Sequence, residues 1–469
     1  MSLWSSQELE EACLIANKTP DSEEYFVDGI SIDTRTLIPG DLFIALSGDP
    51  GPAFNTSSID PRDGHNYILK AVANDAACLM VSKDVDVDCP KLRVEDTLKG
   101  LWLLATYARK RMSGKVVGIT GSSGKTTAKF WLEELLRRQE DSRTHASIGS
   151  LNNHWGVPLS LARMPAESKY GIFEIGTNHP GEISPLSTLV KPDIALLLNV
   201  LPAHIGNFED LLAIQKEKLS IADGIKEGGI LILPLALVSS SAEISSTNKC
   251  RVVTFGLKQD KDCNNADVYG EGFNDDHGTK VVANILGIDI TYRISAGGDH
   301  RVLTSLAVMA LIYTLGADLQ QAARDFELLS SPDGRGNEIT VNGIKIIDDS
   351  YNANPASMSF AIKALRESTG SGARMAFLGE MLELGEQSQS SHDAVANEAK
   401  GLDGVVTIGD GFQKVPGSWG HYSSCREIDM DKFIAQLKAG DTILIKGSNK
   451  VFWQSKFVEK LVEQLRLSV

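Results

Sequence analysis

The chain of 469 residues has no Cys-x-x-Cys or other close pairing among its six cysteines, Cys13, Cys78, Cys89, Cys250, Cys263 and Cys425. That argues against a zinc cluster of the usual spacing and against a disulfide framework, so reduced thiols are expected. No run approaches the ~18–20 apolar residues that a membrane span needs. The first ten residues lack a basic segment followed by an apolar one, so no export signal is expected and a cytoplasmic location is. Cations are outnumbered: 46 Lys and Arg stand against 61 Asp and Glu, a net charge of −15. That balance argues against nucleic acid or an anionic membrane as the main partner. A local group of basic residues can still hold an anionic small molecule. There is no short internal repeat and no low-complexity tract.

What is present is an ordinary globular composition, 42% hydrophobic and 23% charged, in a chain too long for one core. Its most informative segment is Lys115–Thr127, an apolar strand running into Gly121-Ser122-Ser123-Gly124-Lys125-Thr126-Thr127. Gly121 and Gly124 let backbone N–H groups close around an anion. Lys125 supplies a positive charge for the β- and γ-phosphates, and Thr126 a hydroxyl for Mg²⁺. Ala128–Arg138 follows with Trp131, Leu132, Leu135 and Leu136 on one face. It reads as a helix whose N-terminus points at the phosphates. Strand, glycine turn and amphipathic helix in this order point to ATP. The loop is shorter than the common form, since Ile119 stands where a first glycine would be.

Residues 1–95 mix short strands, at Gly29–Ile32, Leu42–Leu46 and Ala76–Val81, with turns. Trp102–Arg111 reads as a helix, and a domain boundary is expected near 96–113. Apolar runs at Val116–Thr120, Gly171–Ile175, Asp193–Asn199 and Gly229–Leu233 alternate with helical patterns. They predict a mostly parallel sheet covered on both faces. The polar stretch 260–295 predicts an antiparallel excursion, and Val302–Leu315 a buried helix. A second link is expected around 325–338, where Ser-Ser-Pro-Asp-Gly-Arg-Gly breaks the helical pattern. The last third then alternates again. Strands are expected at Ile344–Asp348, Arg374–Leu378, Val405–Ile408 and Thr442–Ile445, and helices at Pro355–Arg366, Ser391–Lys400, Met430–Leu437 and Val451–Leu467. This is a second doubly wound pattern.

Open α/β sheets bind ligands at the ends of their strands, and polar residues stand out there. Glu174 interrupts an apolar strand, where a carboxylate is costly unless paired or holding a cation. Asn199 ends the next strand and His204 follows. Thr126, Glu174 and His204 form a candidate Mg²⁺ set; a buried ion pair is the alternative for Glu174. Asp348-Asp349 precede Ser350-Tyr351-Asn352-Ala353-Asn354-Pro355. The two acids suit a ribose hydroxyl or an amine, and Asn354 before Pro355 suits a helix cap. Gly334-Arg335-Gly336 can set a guanidinium on a phosphate.

Taken together these pieces resemble the Mur ligases of peptidoglycan synthesis, in family order and through essentially the whole chain. The carriers are the Gly121–Thr127 loop, Asn152-Asn153-His154-Trp155-Gly156-Val157-Pro158, the segment from Glu174 to Ile183, and the segment from Asp348 to Pro355. Leu378–Gly385, Asp33-Thr34-Arg35 with Pro39-Gly40-Asp41, Asp63-Gly64-His65 and Lys446-Gly447-Ser448 add to them. Several of these are similar to the family member that adds D-alanyl-D-alanine to UDP-N-acetylmuramoyl-tripeptide. Three α/β domains are therefore expected. A small mixed N-terminal domain (1–96) would bind the UDP-sugar. A central phosphate-loop domain with a parallel sheet (97–327) would bind ATP. A C-terminal Rossmann-like domain (328–469) would complete the ATP site.

The resemblance implies ATP and Mg²⁺, an acyl phosphate and a monomer. It carries Gly121 to Thr127, Arg335 and Asp349 over as ATP-binding residues. Thr34, Arg35, Asn153, Asn352 and Asn354 carry over as substrate-binding residues, and Lys125, Glu174, His204 and Lys218 as catalytic ones. In many members a carbamylated lysine holds a second Mg²⁺. Lys216 and Lys218 are both candidates, and the spacing through Phe208 and Ile214 favours Lys218. The chain departs from the family at His154-Trp155, where Glu-Ile is common, at Thr304, where an Asn lies near the adenine, and at Pro234. A neighbouring Mur-type ligase, a folylpolyglutamate synthase and a phosphate-loop phosphotransferase or NTP-driven switch are the alternative readings.

Overall fold

The computed structural model describes residues 2–14, 24–47, 62–140, 143–240, 250–260, 263–275, 278–295, 297–368, 372–412 and 418–468. The first sheet has four parallel strands in sequence order: β1 (Gly29–Ser31), β2 (Asp41–Ile44), β3 (Cys78–Val81) and β4 (Lys91–Arg93). All four residues of β2 and of β3 are buried, as expected of strands covered on both faces. Helix α1 (Thr97–Arg111) begins at Asp96, whose side chain accepts from the Lys99 N–H at 2.8 Å. Its Leu101, Leu104 and Ala108 join the core under this first sheet, while Ala105 faces the core of the next one. The helix is thus shared, where a boundary was expected.

The second sheet has nine strands among the described residues. The strand that leads into the phosphate loop is β5 (Lys115–Thr120), third from one edge. On one side lie β7 (Tyr170–Glu174) and β6 (Thr144–Ala146). On the other lie β8 (Ile194–Leu197), β9 (Ile230–Pro234), β10 (Arg251–Leu257) and β11 (Val268–Asp275). These seven pair in parallel. The polar stretch then adds β12 (Gly278–Ile285) and β13 (Ile288–Ile294) antiparallel. Residues 261, 262, 276 and 277 of that stretch lie outside the described set. Helix α2 (Lys125–Glu140) follows β5 and packs Trp131, Leu132, Leu135 and Leu136 into the core. The buried helix expected from Val302 runs over Asp299–Thr314 (α6).

The third sheet orders as β14 (Asn337–Val341), β15 (Ile344–Asp349), β19 (Thr442–Lys446), β16 (Arg374–Gly379), β17 (Gly404–Ile408) and β18 (Gly420–Tyr422). It is parallel except for the hairpin β14–β15. The helix expected over 451–467 starts only at Phe457. Lys456 takes φ +53°, which breaks the spiral. Val451 and Phe452 still pack into the core, so they imitate helical periodicity from a turn.

Candidate active site

The chain runs from β5 outward to β6, returns through β7, and crosses back to β8 on the other side. That reversal at β5 opens a crevice at the C-terminal strand ends. Register places Ile119 opposite Glu174 and Thr120 opposite Leu197. The phosphate loop, Glu174 and the segment from Leu198 to His204 therefore stand side by side.

Asn199 shapes the loop. Its Oδ1 accepts from the Ser123 N–H at 3.0 Å, its Nδ2 donates to the Ser123 carbonyl at 3.1 Å, and its carbonyl accepts from the Ser122 N–H at 3.1 Å. Ser122 Oγ donates to the Leu201 carbonyl at 2.9 Å. Gly124 takes φ +82°, and a Cβ on Gly121 would stand 2.9 Å from the Leu198 Cβ; both positions need glycine. Lys125 Nζ donates to the Gly121 carbonyl at 2.8 Å, which folds the ammonium back over the loop.

Glu174 is 1% exposed. One carboxylate oxygen accepts from Thr126 Oγ1 and the other from Asn152 Nδ2, both at 2.7 Å. Neither donor carries a charge. A buried ion pair, the alternative reading of Glu174, is therefore not what its hydrogen bonds supply. Lys129, which sequence reasoning passed over, donates through Nζ to the carbonyls of Ser147 and Gly149. It pins the loop that carries Ser150 and Asn152.

The third sheet supplies the opposite wall. A cavity of about 680 Å³ is lined by Ser122 to Thr127 on one side and by Arg335, Asp349, Asn352 and Asn354 on the other. The two adjacent acids divide. Asp348 turns inward and accepts from the Gly334 and Ser350 N–H groups, both at 3.2 Å. Asp349 faces the cavity, 2.7 Å from Lys446 Nζ. Burial works against its charge, yet Lys446 and Arg301 hold its carboxyl below the usual range. Asn354 caps helix α8 (Pro355–Glu367) with Pro355 at the first helical position, as its sequence suggests.

Positive charge accumulates here. Burial lowers the pKa values of Lys125, Lys129 and Arg301, and the nearby Arg335 lowers each further. Lys218, on α5 (Leu211–Leu219), is 3% exposed; burial, then repulsion from Lys125, brings its pKa from 10.5 down to about 7. Its neighbour Glu217 accepts from the Gly181 and Ile183 N–H groups at 2.6 and 2.8 Å, while Lys216 is exposed. A polyphosphate entering this cavity would offset the cost of gathering these cations.

Not every expected residue converges. Thr34 and Arg35 lie in the turn that follows β1, and neither lines the cavity. The Arg35 guanidinium pairs with Asp33 at 2.6 Å and is 78% exposed; Thr34 is buried. Of the two asparagines, Asn152 lines the cavity, and Asn153 instead accepts from the Gly156 N–H at 2.9 Å. His204 lies at the cavity rim with Nδ1 on the Glu383 carboxylate of the opposite wall. Both residues have left-handed backbones, at φ +55° and +64°. Among the described residues no three His, Cys, Asp or Glu side chains converge as a metal cluster, and no helix is long and apolar enough to cross a membrane.

Residues 119–312 match the Mur ligase middle domain, and residues 334–449 the Mur ligase glutamate ligase domain. The UDP-N-acetylmuramoyl-tripeptide–D-alanyl-D-alanine ligase of Escherichia coli is 31% identical over 96% of both chains. A crystal structure of MurF from Acinetobacter baumannii superposes with a TM-score of 0.82 at 28% identity, over 98% of this chain and 99% of that one. MurF ligase from Thermotoga maritima in complex with ADP gives 0.77 at 26% identity, over 94% and 98%. With likeness of this extent along the whole chain, and with the phosphate loop and its opposite wall in place, the chain belongs to the Mur ligase family.

Proposed function

We propose that the chain joins D-alanyl-D-alanine to UDP-N-acetylmuramoyl-tripeptide, converting ATP to ADP and phosphate and giving the UDP-muramoyl-pentapeptide precursor of peptidoglycan. The observation that carries this reading is the cavity itself, which sets a phosphate loop against Asp349 of a separate sheet and Arg335 of the turn that leads into it. ATP lies between them, with Gly121 to Thr127 cradling its phosphates and Asp349 toward its ribose. Residues 1–96 bind the UDP-sugar through Thr34 and Arg35, 97–327 hold ATP, and 328–469 close the site and receive the dipeptide. Asn153, Asn352 and Asn354 belong to the peptide side. The enzyme works as a cytoplasmic monomer.

A carboxylate is a poor acyl donor, because oxide is a prohibitive leaving group. The terminal tripeptide carboxylate instead attacks the γ-phosphorus; its O–P bond forms, the bond to ADP breaks, and an acyl phosphate results. The dipeptide amine then attacks the acyl carbon, phosphate leaves with the C–O electron pair, and the ammonium loses its proton. The first step drives one anion toward another, so Lys125 and Arg335 stabilise charge that grows on the phosphoryl oxygens. Closing the two walls keeps water from the acyl phosphate.

The buried Glu174 carboxylate with neutral donors, beside the Thr126 hydroxyl, offers hard oxygen ligands and so fits Mg²⁺. Thr126, Glu174, His204 and Lys218 as its carbamate would hold such ions, which would neutralise charge between the β- and γ-phosphates. Glu174→Ala is expected to raise the Mg²⁺ concentration for half-maximal activity by roughly 10- to 100-fold. The rise is smaller for His204→Ala, whose ring sits at the rim. Mg²⁺ titrations of both variants that overlay the parent's would move the metal elsewhere.

A product assay tests the reaction. With ATP, Mg²⁺, UDP-muramoyl-tripeptide and D-alanyl-D-alanine, mass spectrometry should show the pentapeptide, with one phosphate released per bond. Phosphate release that ignores the dipeptide, or a stable phosphorylated product, would instead favour a switch or a kinase.

A further inference from the structure

Arg335 is fixed through its backbone but not through its side chain. Its carbonyl accepts from Arg301 Nη2, and its N–H donates to the Pro332 carbonyl at 3.0 Å. Among the described residues its guanidinium enters no salt bridge. What meets it is the ring of Tyr351, with the guanidinium carbon 4.2 Å from the ring centroid. A guanidinium lying on an aromatic face uses that face alone; its N–H groups all lie in the plane and remain free to donate to an anion.

Tyr351 is itself held on three sides. Its N–H donates to the Gly334 carbonyl at 3.0 Å, and Trp453 meets its ring edge-on with centroids 5.4 Å apart. Its hydroxyl shares a 2.5 Å hydrogen bond with Ser150 across the cleft. Ser150 sits on the loop that Lys129 pins and that carries Asn152 to Glu174. A short chain of contacts thus runs from the carboxylate of the central sheet to the arginine of the third.

We propose that Tyr351 is a positioning residue: its ring lays the Arg335 guanidinium flat with its N–H edge toward the terminal phosphoryl group, and its hydroxyl couples that placement to Ser150. The proposal rests on the ligase reading only in identifying the anion as the transferred phosphoryl group.

Binding of nucleotides to the full chain tests it. Tyr351→Leu should weaken binding of a non-hydrolysable ATP analogue about tenfold while leaving the affinity for ADP, which lacks the terminal group, unchanged. The loss should vanish in an Arg335→Ala background. Arg335→Lys keeps the charge but not the plane, and should behave like Arg335→Ala. Ser150→Ala and Tyr351→Phe should slow turnover equally, and together no further. Equal loss of ADP and analogue, additive effects with Arg335→Ala, or full function of Arg335→Lys would overturn the assignment. If Tyr351→Leu does not fold, Arg335→Lys and the Ser150 pair decide alone. A parent that binds nucleotide with these couplings but forms no pentapeptide would sink the ligase reading and leave Tyr351 in its role.

Discussion

Lys125→Ala is expected to lower ligation turnover about a thousandfold, on the scale of removing one preorganised charge stabiliser, without lowering the melting temperature. The ammonium bridges the loop that starts α2 and has the Gly121 carbonyl as its hydrogen-bond partner. Burial and the nearby Arg335 already depress its pKa, so the folded protein holds this charge at a cost. Removing it relieves that cost in the empty enzyme and removes a counter-charge when the phosphoryl group moves. Activity and stability should therefore separate. Thermal unfolding and single-turnover ligation, measured on the same sample, check this. Near-parental turnover in a folded variant would remove the loop from the chemistry.

The second large effect is expected at Lys218. A neutral amine adds CO₂, forming an N–C bond and losing a proton, and the carbamate is an anion suited to a hard cation. With its pKa brought to about 7 by burial and Lys125, the amine is mostly protonated below pH 7 and mostly free above it. Activity that needs the carbamate should rise from pH 6 to pH 8 and fall when CO₂ is stripped from the buffer. Lys218→Ala should lose about a hundredfold or more, on the scale of a lost metal-site ligand, with partial rescue by formate or acetate. The exposed Lys216 should be nearly silent when replaced. A stability signature accompanies this. Between pH 7 and 10.5 the unfolded lysine holds a proton that the folded one has shed, so stability rises with pH across that window. In Lys218→Met that contribution disappears. Full activity in both Lys216→Ala and Lys218→Ala would show that the enzyme does without the carbamate.

Most strands of the two large sheets were legible because buried parallel strands are uninterrupted apolar runs: Val116–Thr120 and Gly171–Ile175 lie within a residue of their observed ends. Short elements were not. Thr144–Ala146 is three residues long with an intermediate His145 at its centre, too brief for a pattern. The phosphate loop, Glu174 and Asp349 were legible because each places a polar group where a strand ends. Asn152 was not separable from Asn153, since their difference lies in which way one turn faces. Lys129 reads as one more cation on a helix until its two carbonyl partners are seen. The Ser150–Tyr351 bond joins residues 201 apart in sequence, a distance over which no local pattern carries information.

The segment between the second and third sheets is anchored at both ends. Trp131 of α2 donates through Nε1 to the Ser330 carbonyl at 3.2 Å, and its ring meets Phe326 edge-on. Beyond Ser330 the hold continues: Arg301 donates to Ser331 Oγ at 3.4 Å and to the Arg335 carbonyl, while Gly334 and Gly336, at φ +69° and +79°, donate to the Asp348 carboxylate and carbonyl. Gly334 and Arg335 of this held turn line the same cavity as the phosphate loop, and so do His204 and Glu383. Separating the two walls at the phosphate end would therefore break hydrogen bonds of this link, which acts as a clasp and not as a loose tether.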